Sequence, residues 1–285
     1  MVGRFLARKM LVRDCLLKIN VQIHVHYRAP FKLQEDDLQS RVILVGGAGS
    51  LGRAVRDGLA GDGAEVIVVD LAASLYQAGW SKDIDAIAVD VSEPASVAGA
   101  FEAIGRRWNY ADAMVYLSGY TLAPPRPALS IEDADWCGVI DVNLSGAFRA
   151  AKAAHPLLDA HGGSMVLVSS AMAYGPVKGF APYIASKAGM LGLTRALASE
   201  FGPKVRVNAL APSAMETPFM AGGSGRNVDD TAGEWFSADA FKATTPLGRL
   251  ATVEDCVGPI RYLIGPDAAF MTGQVMHVNG GRLMV

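Results

Sequence analysis

Short apolar runs alternating with helix-length amphipathic segments predict an α/β fold, a doubly wound parallel sheet forming one domain behind a short N-terminal extension. Three observations carry this. Six runs, at 41–45, 65–69, 84–89, 113–117, 165–168 and 205–210, are mostly apolar without alternation, as strands buried on both faces are. The intervening segments carry one-sided stripes: Leu51, Val55 and Leu59 in the first, Met190, Leu193 and Leu197 in a later one. A glycine-rich turn joins the first run directly to the first stripe. No linker of biased composition or internal repeat interrupts residues 41–285, which read as the sheet domain.

Residues 1–40 have a different texture. Arg4, Arg8, Lys9, Arg13 and Lys18 against Asp14 make the start basic, yet no serine precedes Ser40, unlike an organelle leader. Ile19, Val21, Ile23, Val25 and Tyr27 alternate with polar residues at a strand period, so an added edge strand or subunit-contact arm is expected. His24 and His26 share a face but have no third ligand nearby, and no metal site is expected.

The turn reads Gly46, Gly47, Ala48, Gly49, Ser50, Leu51, Gly52. Glycines permit positive φ and let a pyrophosphate approach the backbone, while the helix that follows offers unpaired N–H groups. Asp70 ends the second run eighteen residues past Gly52, the context a dinucleotide fingerprint requires. A carboxylate there accepts hydrogen bonds from both ribose hydroxyls of NAD and repels the 2′-phosphate of NADP. Asp90, after the third run, fits either an adenine contact or a cap ahead of Ser92, Glu93 and Pro94.

Tyr183 and Lys187 are four residues apart, which places phenol and ammonium on one helix face. Ser170 stands thirteen residues upstream, at the end of the run Met165–Val168. A cation beside a phenol favours the phenolate, and bringing a tyrosine from ~10 to neutrality takes ~4 kcal/mol of differential stabilisation. Lys187 and a positively charged nicotinamide are the candidate sources.

Composition excludes several classes. With 51% hydrophobic and 19% charged residues the chain is an ordinary globular one, and a net charge of −2 gives no electrostatic case for nucleic acid. No apolar stretch approaches the ~20 residues that span a bilayer. Cys15, Cys137 and Cys256 are scattered, without metal or disulfide spacing, so a reducing, cytoplasmic location is expected.

Taken together, these residues resemble the short-chain dehydrogenase/reductase family, in its single-domain, tyrosine-dependent branch with a Rossmann fold. The likeness runs from Arg41 to Gly281. It rests on Asn143, Ser170, Tyr183 and Lys187, with Asp90-Val91, Val205 to Ala209, Thr217-Pro218, Pro246 to Arg249, Thr272 to Gln274 and Asn279 to Gly281 as further matches. The resemblance implies Tyr183 as general acid/base, Lys187 as its pKa modulator and ribose ligand, and Ser170 as polariser of the substrate oxygen. Asn143 would hold a water linking Lys187 to solvent. Gly46, Gly49, Ser50, Leu51, Gly52, Asp70, Asp90, Val91, Ser118, Gly119, Pro212 and Ser213 would line the cofactor, with the Met215 backbone and Thr217 hydroxyl orienting its carboxamide. The implied reaction is reversible hydride transfer between a secondary alcohol or ketone and NAD, in a homodimer or homotetramer packed through helices at 131–158 and 182–201.

Three departures qualify the match. Gly46, Gly49 and Gly52 follow the spacing of the family's epimerase-like branch, so Ser50 occupies a glycine position of the dehydrogenase pattern. Tyr116-Leu117-Ser118-Gly119 stands where Asn-Asn-Ala-Gly is common, which is expected to remove side-chain hydrogen bonds there. Pro212-Ser213 replaces Pro-Gly. The alternatives are a non-catalytic NAD sensor, which has little use for all four site residues, and an epimerase or isomerase with retained NAD. Substrate contacts are expected from 213–245, where Trp235, Phe236 and Phe241 either line an apolar pocket or form the core side of a short lid helix, and where Arg226 is either an anion ligand or a solvated loop residue.

Overall fold

The central apolar runs become strands because they are sandwiched between two helical layers with no face left for water, whereas the edge strand from the third run is only partly buried. The computed structural model describes residues 40–79, 84–175, 177–221 and 235–285, so the expectations for the basic extension and for Arg226 lie outside the described residues. The strands are β1 (Arg41–Val45), β2 (Glu65–Asp70), β3 (Ala86–Ala88), β4 (Ala113–Tyr116), β5 (Ser164–Val168), β6 (Arg206–Pro212) and β7 (Val275–Val278). All pair in parallel, in the order β3-β2-β1-β4-β5-β6-β7. The order reverses between β1 and β4, and that switch point opens a crevice beyond the strand ends.

β3 is shorter than the predicted 84–89. β7 was not among the predicted strands, because a four-residue, half-buried run containing His277 carries little apolar signal. Its register is fixed by pairing with β6, Ala209 against Val275 through Pro212 against Val278.

Alternate strand residues feed two cores. On one side Ile43, Val69, Met114 and Leu167 meet α3 (Pro94–Arg107), α5 (Gly146–Asp159) and α6 (Ala181–Phe201). On the other Val42, Leu44, Val68 and Val166 meet Val55 and Leu59 of α1 (Ser50–Gly61) and Ile260 and Leu263 of α8 (Glu254–Ile264). The remaining helices are α2 (Ala72–Gln77), α4 (Asp133–Ile140) and α7 (Ala238–Ala243). α5 approaches the sheet closely because Ala147, Ala150, Ala151 and Ala154 face it and are fully buried. Cys256 packs inside the second core, and burial pushes its thiol up to about 12, so it is inert. Among the described residues no helix is long and apolar enough to cross a membrane.

The helix expected over 131–158 is realised as α4 and α5 joined by a π-helical turn at Asp141–Ser145. Such a turn widens the backbone by one residue and re-aims the side chains on it. It also corrects the expectation at Tyr116. That side chain is fully buried, and its hydroxyl donates to the Val142 carbonyl at 2.6 Å, tying the end of β4 to the π-turn. Gly146 leaves the space, since a Cβ there would lie 2.6 Å from the Tyr116 oxygen. Tyr116→Phe should remove that bond and cost about 1 kcal/mol. Urea unfolding checks this, and an unchanged midpoint would show that the bond contributes nothing.

Candidate active site

The crevice is a cavity of ≈ 1000 Å³ that runs from the glycine turn past Ser170 and Tyr183 to Phe241 and Arg282. Every predicted cofactor position, Gly46, Gly49, Ser50, Leu51, Gly52, Asp70, Asp90, Val91, Ser118, Gly119, Pro212, Ser213, Met215 and Thr217, lies on its wall. So do Ser170, Tyr183 and Lys187; Asn143 does not.

The glycines of the turn divide by what a side chain would strike. Gly46 has φ +85, and a Cβ on it would lie 2.4 Å from the Ser118 nitrogen. Gly52 is pressed against the turn, with an added Cβ 2.5 Å from the Gly47 Cα. These two are demanded by packing. Gly49 is not: its φ is −67 and an added Cβ would meet only the Gly46 carbonyl at 3.8 Å. No side chain caps α1, so the N–H groups of its first turn face the same open space. The residues therefore fit a pyrophosphate, whose oxygens need those donors and that clearance.

Asp70 is held by its own neighbours. One carboxylate oxygen accepts from the Ala48 N–H at 2.9 Å, the other from the Leu71 N–H at 2.7 Å. Burial pushes this carboxyl above the usual range, and the hydrogen bonds from Ala48, Leu71 and Ser74 pull against that shift. Asp70 thus fastens the glycine turn as well as facing the cavity. The Asp90 carboxylate accepts from the backbone and hydroxyl of Ser92, at 2.9 and 2.6 Å, and does not cap α3, whose N-cap is Glu93.

Tyr183 and Lys187 are on the first turns of α6, with the ammonium 5.7 Å from the phenol ring centre. Lys187 is 3% exposed and its Nζ donates to the Val168 carbonyl at 2.8 Å. Desolvation pushes the ammonium down to about 8. Burial pushes the Tyr183 phenol up to about 12, against a hydrogen bond from Ser170 that acts the other way. Burial is the larger of the two effects on the phenol. The Ser170 hydroxyl also accepts from the Met172 N–H at 3.1 Å, which fixes its position.

Asn143 is fully buried on the π-turn. Its amide donates to the Tyr120 carbonyl and the Ser186 hydroxyl, both at 3.0 Å, and its oxygen accepts from the Tyr120 N–H at 2.9 Å. Ser186 in turn donates to the Tyr183 carbonyl at 2.7 Å. Both amide hydrogens are thus spent on protein groups, and Asn143 joins α6 to the segment that follows β4.

Beyond Tyr183 the wall turns aromatic. Trp235, Phe236 and Phe241 line the cavity, Phe241 from the short helix α7. Phe180 and Phe219 join them, Phe219 with its ring centre 5.8 Å from that of Tyr183. The sequence reading missed both, and Arg282 too, although Phe180 immediately precedes α6 and Phe219 follows Thr217-Pro218.

A family model described as enoyl-(acyl carrier protein) reductase matches residues 46–282. An uncharacterized oxidoreductase of Mycobacterium tuberculosis is 37% identical over 256 residues, 86% of this chain and 92% of that one. The 3-oxoacyl-(acyl-carrier-protein) reductase FabG of Escherichia coli is 29% identical over 87% of this chain and all of its own. Among solved structures, a short-chain dehydrogenase/reductase from Brucella melitensis described as glucose/ribitol dehydrogenase superposes with a TM-score of 0.76 at 30% identity, covering 86% of this chain and 97% of that one. The chain belongs to the short-chain dehydrogenase/reductase family. It is an oxidoreductase of the class that works with a nicotinamide cofactor.

The two kinds of glycine separate experimentally. Gly49→Ala should leave the melting temperature nearly unchanged while weakening dinucleotide binding at least tenfold, because the methyl enters only the open space. Gly52→Ala should lower the melting temperature by several degrees. Calorimetric melts with dinucleotide titrations check both, and normal binding by Gly49→Ala would remove the phosphate assignment.

Proposed function

We propose that the chain is an NAD-dependent dehydrogenase/reductase that interconverts a secondary alcohol and its ketone, with Tyr183 exchanging the proton. The observation that carries the reading is the placement of Ser170, Tyr183 and Lys187 on one cavity wall, continuous with a glycine cradle suited to a pyrophosphate. A nicotinamide bound along that cradle accepts or supplies the hydride. Gly46 to Gly52 would hold the pyrophosphate, Asp70, Asp90 and Val91 the adenosine, Ser118, Gly119 and Lys187 the nicotinamide ribose, and Pro212, Ser213, Met215 and Thr217 the carboxamide. The catalytic unit is residues 41–285.

In oxidation the Tyr183 phenolate takes the hydroxyl proton while Ser170 donates a hydrogen bond to the same oxygen; in reduction the phenol returns the proton. Lys187 keeps positive charge beside the phenolate, and Asn143 holds the backbone on which both stand. Asp70 supports the choice of NAD, because at that end the described cavity lining holds Asp70, Leu71 and Ser74 and, among the described residues, no arginine or lysine. We read the protein as cytoplasmic and homo-oligomeric, with Trp136 of α4 and Phe148 of α5, 40% and 48% exposed, on the contact helices.

Tyr183→Phe should lower kcat by at least about a thousandfold with NAD affinity within a few fold, since only the proton path is lost. Near-normal turnover would remove Tyr183 from the acid/base role. Oxidation needs the deprotonated phenol and reduction the protonated one, so kcat/KM should rise with pH for the alcohol and fall with pH for the ketone. Parallel profiles in the two directions would contradict proton exchange at one group. Asp70→Ala should narrow the preference for NAD over NADP at least tenfold. An unchanged ratio of binding constants would leave Asp70 with only its turn-fastening role.

A further inference from the structure

Among the described residues the cavity lining is uneven in charge. Its carboxylates, Asp70 and Asp90, sit at or just beyond the ends of β2 and β3, on the cradle side. On the other side of Tyr183 the described lining carries Lys178 and Arg282 and no acid. An aromatic series leads that way. Phe180 packs 5.4 Å from Trp235, Trp235 lies 6.0 Å from Phe236, and Phe236 lies 5.6 Å from Phe241. Arg282 closes the series, its guanidinium 3.9 Å from the Phe241 ring centre.

Arg282 is held in place before any ligand arrives. Its Nη1 donates to the Phe241 carbonyl at 3.3 Å and to the Thr244 hydroxyl, so the side chain bridges to α7. The chain reaches that point through a turn after β7 in which Gly280 and Gly281 have φ +62 and +83 and Asn279 accepts from the Gly281 N–H. Among the described ion pairs none involves Arg282. A stacked and tethered guanidinium has already lost much of its rotamer freedom, and its remaining N–H donors suit a planar anion. The aromatic wall between it and Tyr183 suits a flat apolar body.

We infer that the substrate is a flat, apolar ketone or secondary alcohol carrying a carboxylate-type anion at the end remote from the reacting carbon, and that Arg282 binds that anion. This rests on the alcohol–ketone reading and extends it to the substrate class. Lys178, also on the described cavity wall, adds attraction without fixing geometry.

The test uses the full chain with NADH and matched ketones: acetophenone with 4-acetylbenzoate, 2-acetylnaphthalene with 6-acetyl-2-naphthoate, and 2-octanone as the aliphatic comparison. Binding is read from quenching of cofactor emission and turnover from its absorbance. At least one carboxylate should bind and turn over tenfold or more better than its neutral parent. Arg282→Gln should cut that charged-to-neutral ratio at least tenfold, with Arg282→Lys between the two. The ratio is the deciding quantity because loss of the tether to α7 alone would weaken both members of a pair alike. A ratio near one in the unaltered protein, or a ratio that survives Arg282→Gln, overturns the anion assignment while ketone turnover leaves the alcohol–ketone reading standing. A protein that binds NADH and reduces none of the five ketones would sink both.

Discussion

A buried ammonium has to find acceptors inside the protein, and the site is arranged around that of Lys187. Its Nζ reaches the Val168 carbonyl at the end of β5, so the first turns of α6 are drawn onto the sheet. The return contact, from the Ser169 hydroxyl to the Lys187 carbonyl at 2.8 Å, locks the same junction from the other side. Tyr183, one turn earlier, has its height above the strand ends set by this pairing. The cost of holding the charge there appears as the depressed ammonium, and the phenol beside it is pushed the opposite way by the same loss of water. The chain thus fixes the positions of both groups of the proton site.

Positioning comes from small groups behind the cavity. Asn143 couples the π-turn, Tyr120 and Ser186, while Tyr116 couples the same turn to β4. These bonds connect α4, α5 and α6 to strand ends that also carry Ser118 and Ser170. The cofactor side is built of backbone and glycine, where close approach matters. The wall beyond Tyr183 is built of aromatic rings and Arg282, with Phe241 on the six-residue helix α7 and Arg282 in the turn after β7. In the proposed reading, dinucleotide recognition depends on the rigid sheet, whereas substrate choice depends on elements at its margin, where residues can be exchanged without disturbing the core.

Much of this was legible in the sequence, for definite reasons. Strands buried on both faces must be apolar throughout, so β1, β2, β4, β5 and β6 stood out, and a turn containing Gly46, Gly49 and Gly52 between strand and helix has few other uses. The spacing of Tyr183 and Lys187 needs only a helix to bring them together. β7 was missed because half-burial at a sheet edge allows a mixed run such as Val275 to Val278. The π-turn leaves no pattern in residue type, and Tyr116 reads as one more apolar strand residue until its hydroxyl is seen on Val142. Arg282 was invisible for another reason: its neighbours Phe241 and Thr244 are about forty residues away, and only the closure of the chain after β7 makes them meet.

The claim on which the rest depends is that Lys187 is a desolvated cation in the folded chain. It is tested by titrating the side-chain carbon signals of 13C-lysine-labelled protein, with the Lys187 resonance assigned by its loss in Lys187→Met. The account predicts one lysine with a midpoint near 8, well below the others. A Lys187 midpoint at or above the ordinary value of about 10.4 would contradict it, and with it the buried arrangement that places Tyr183.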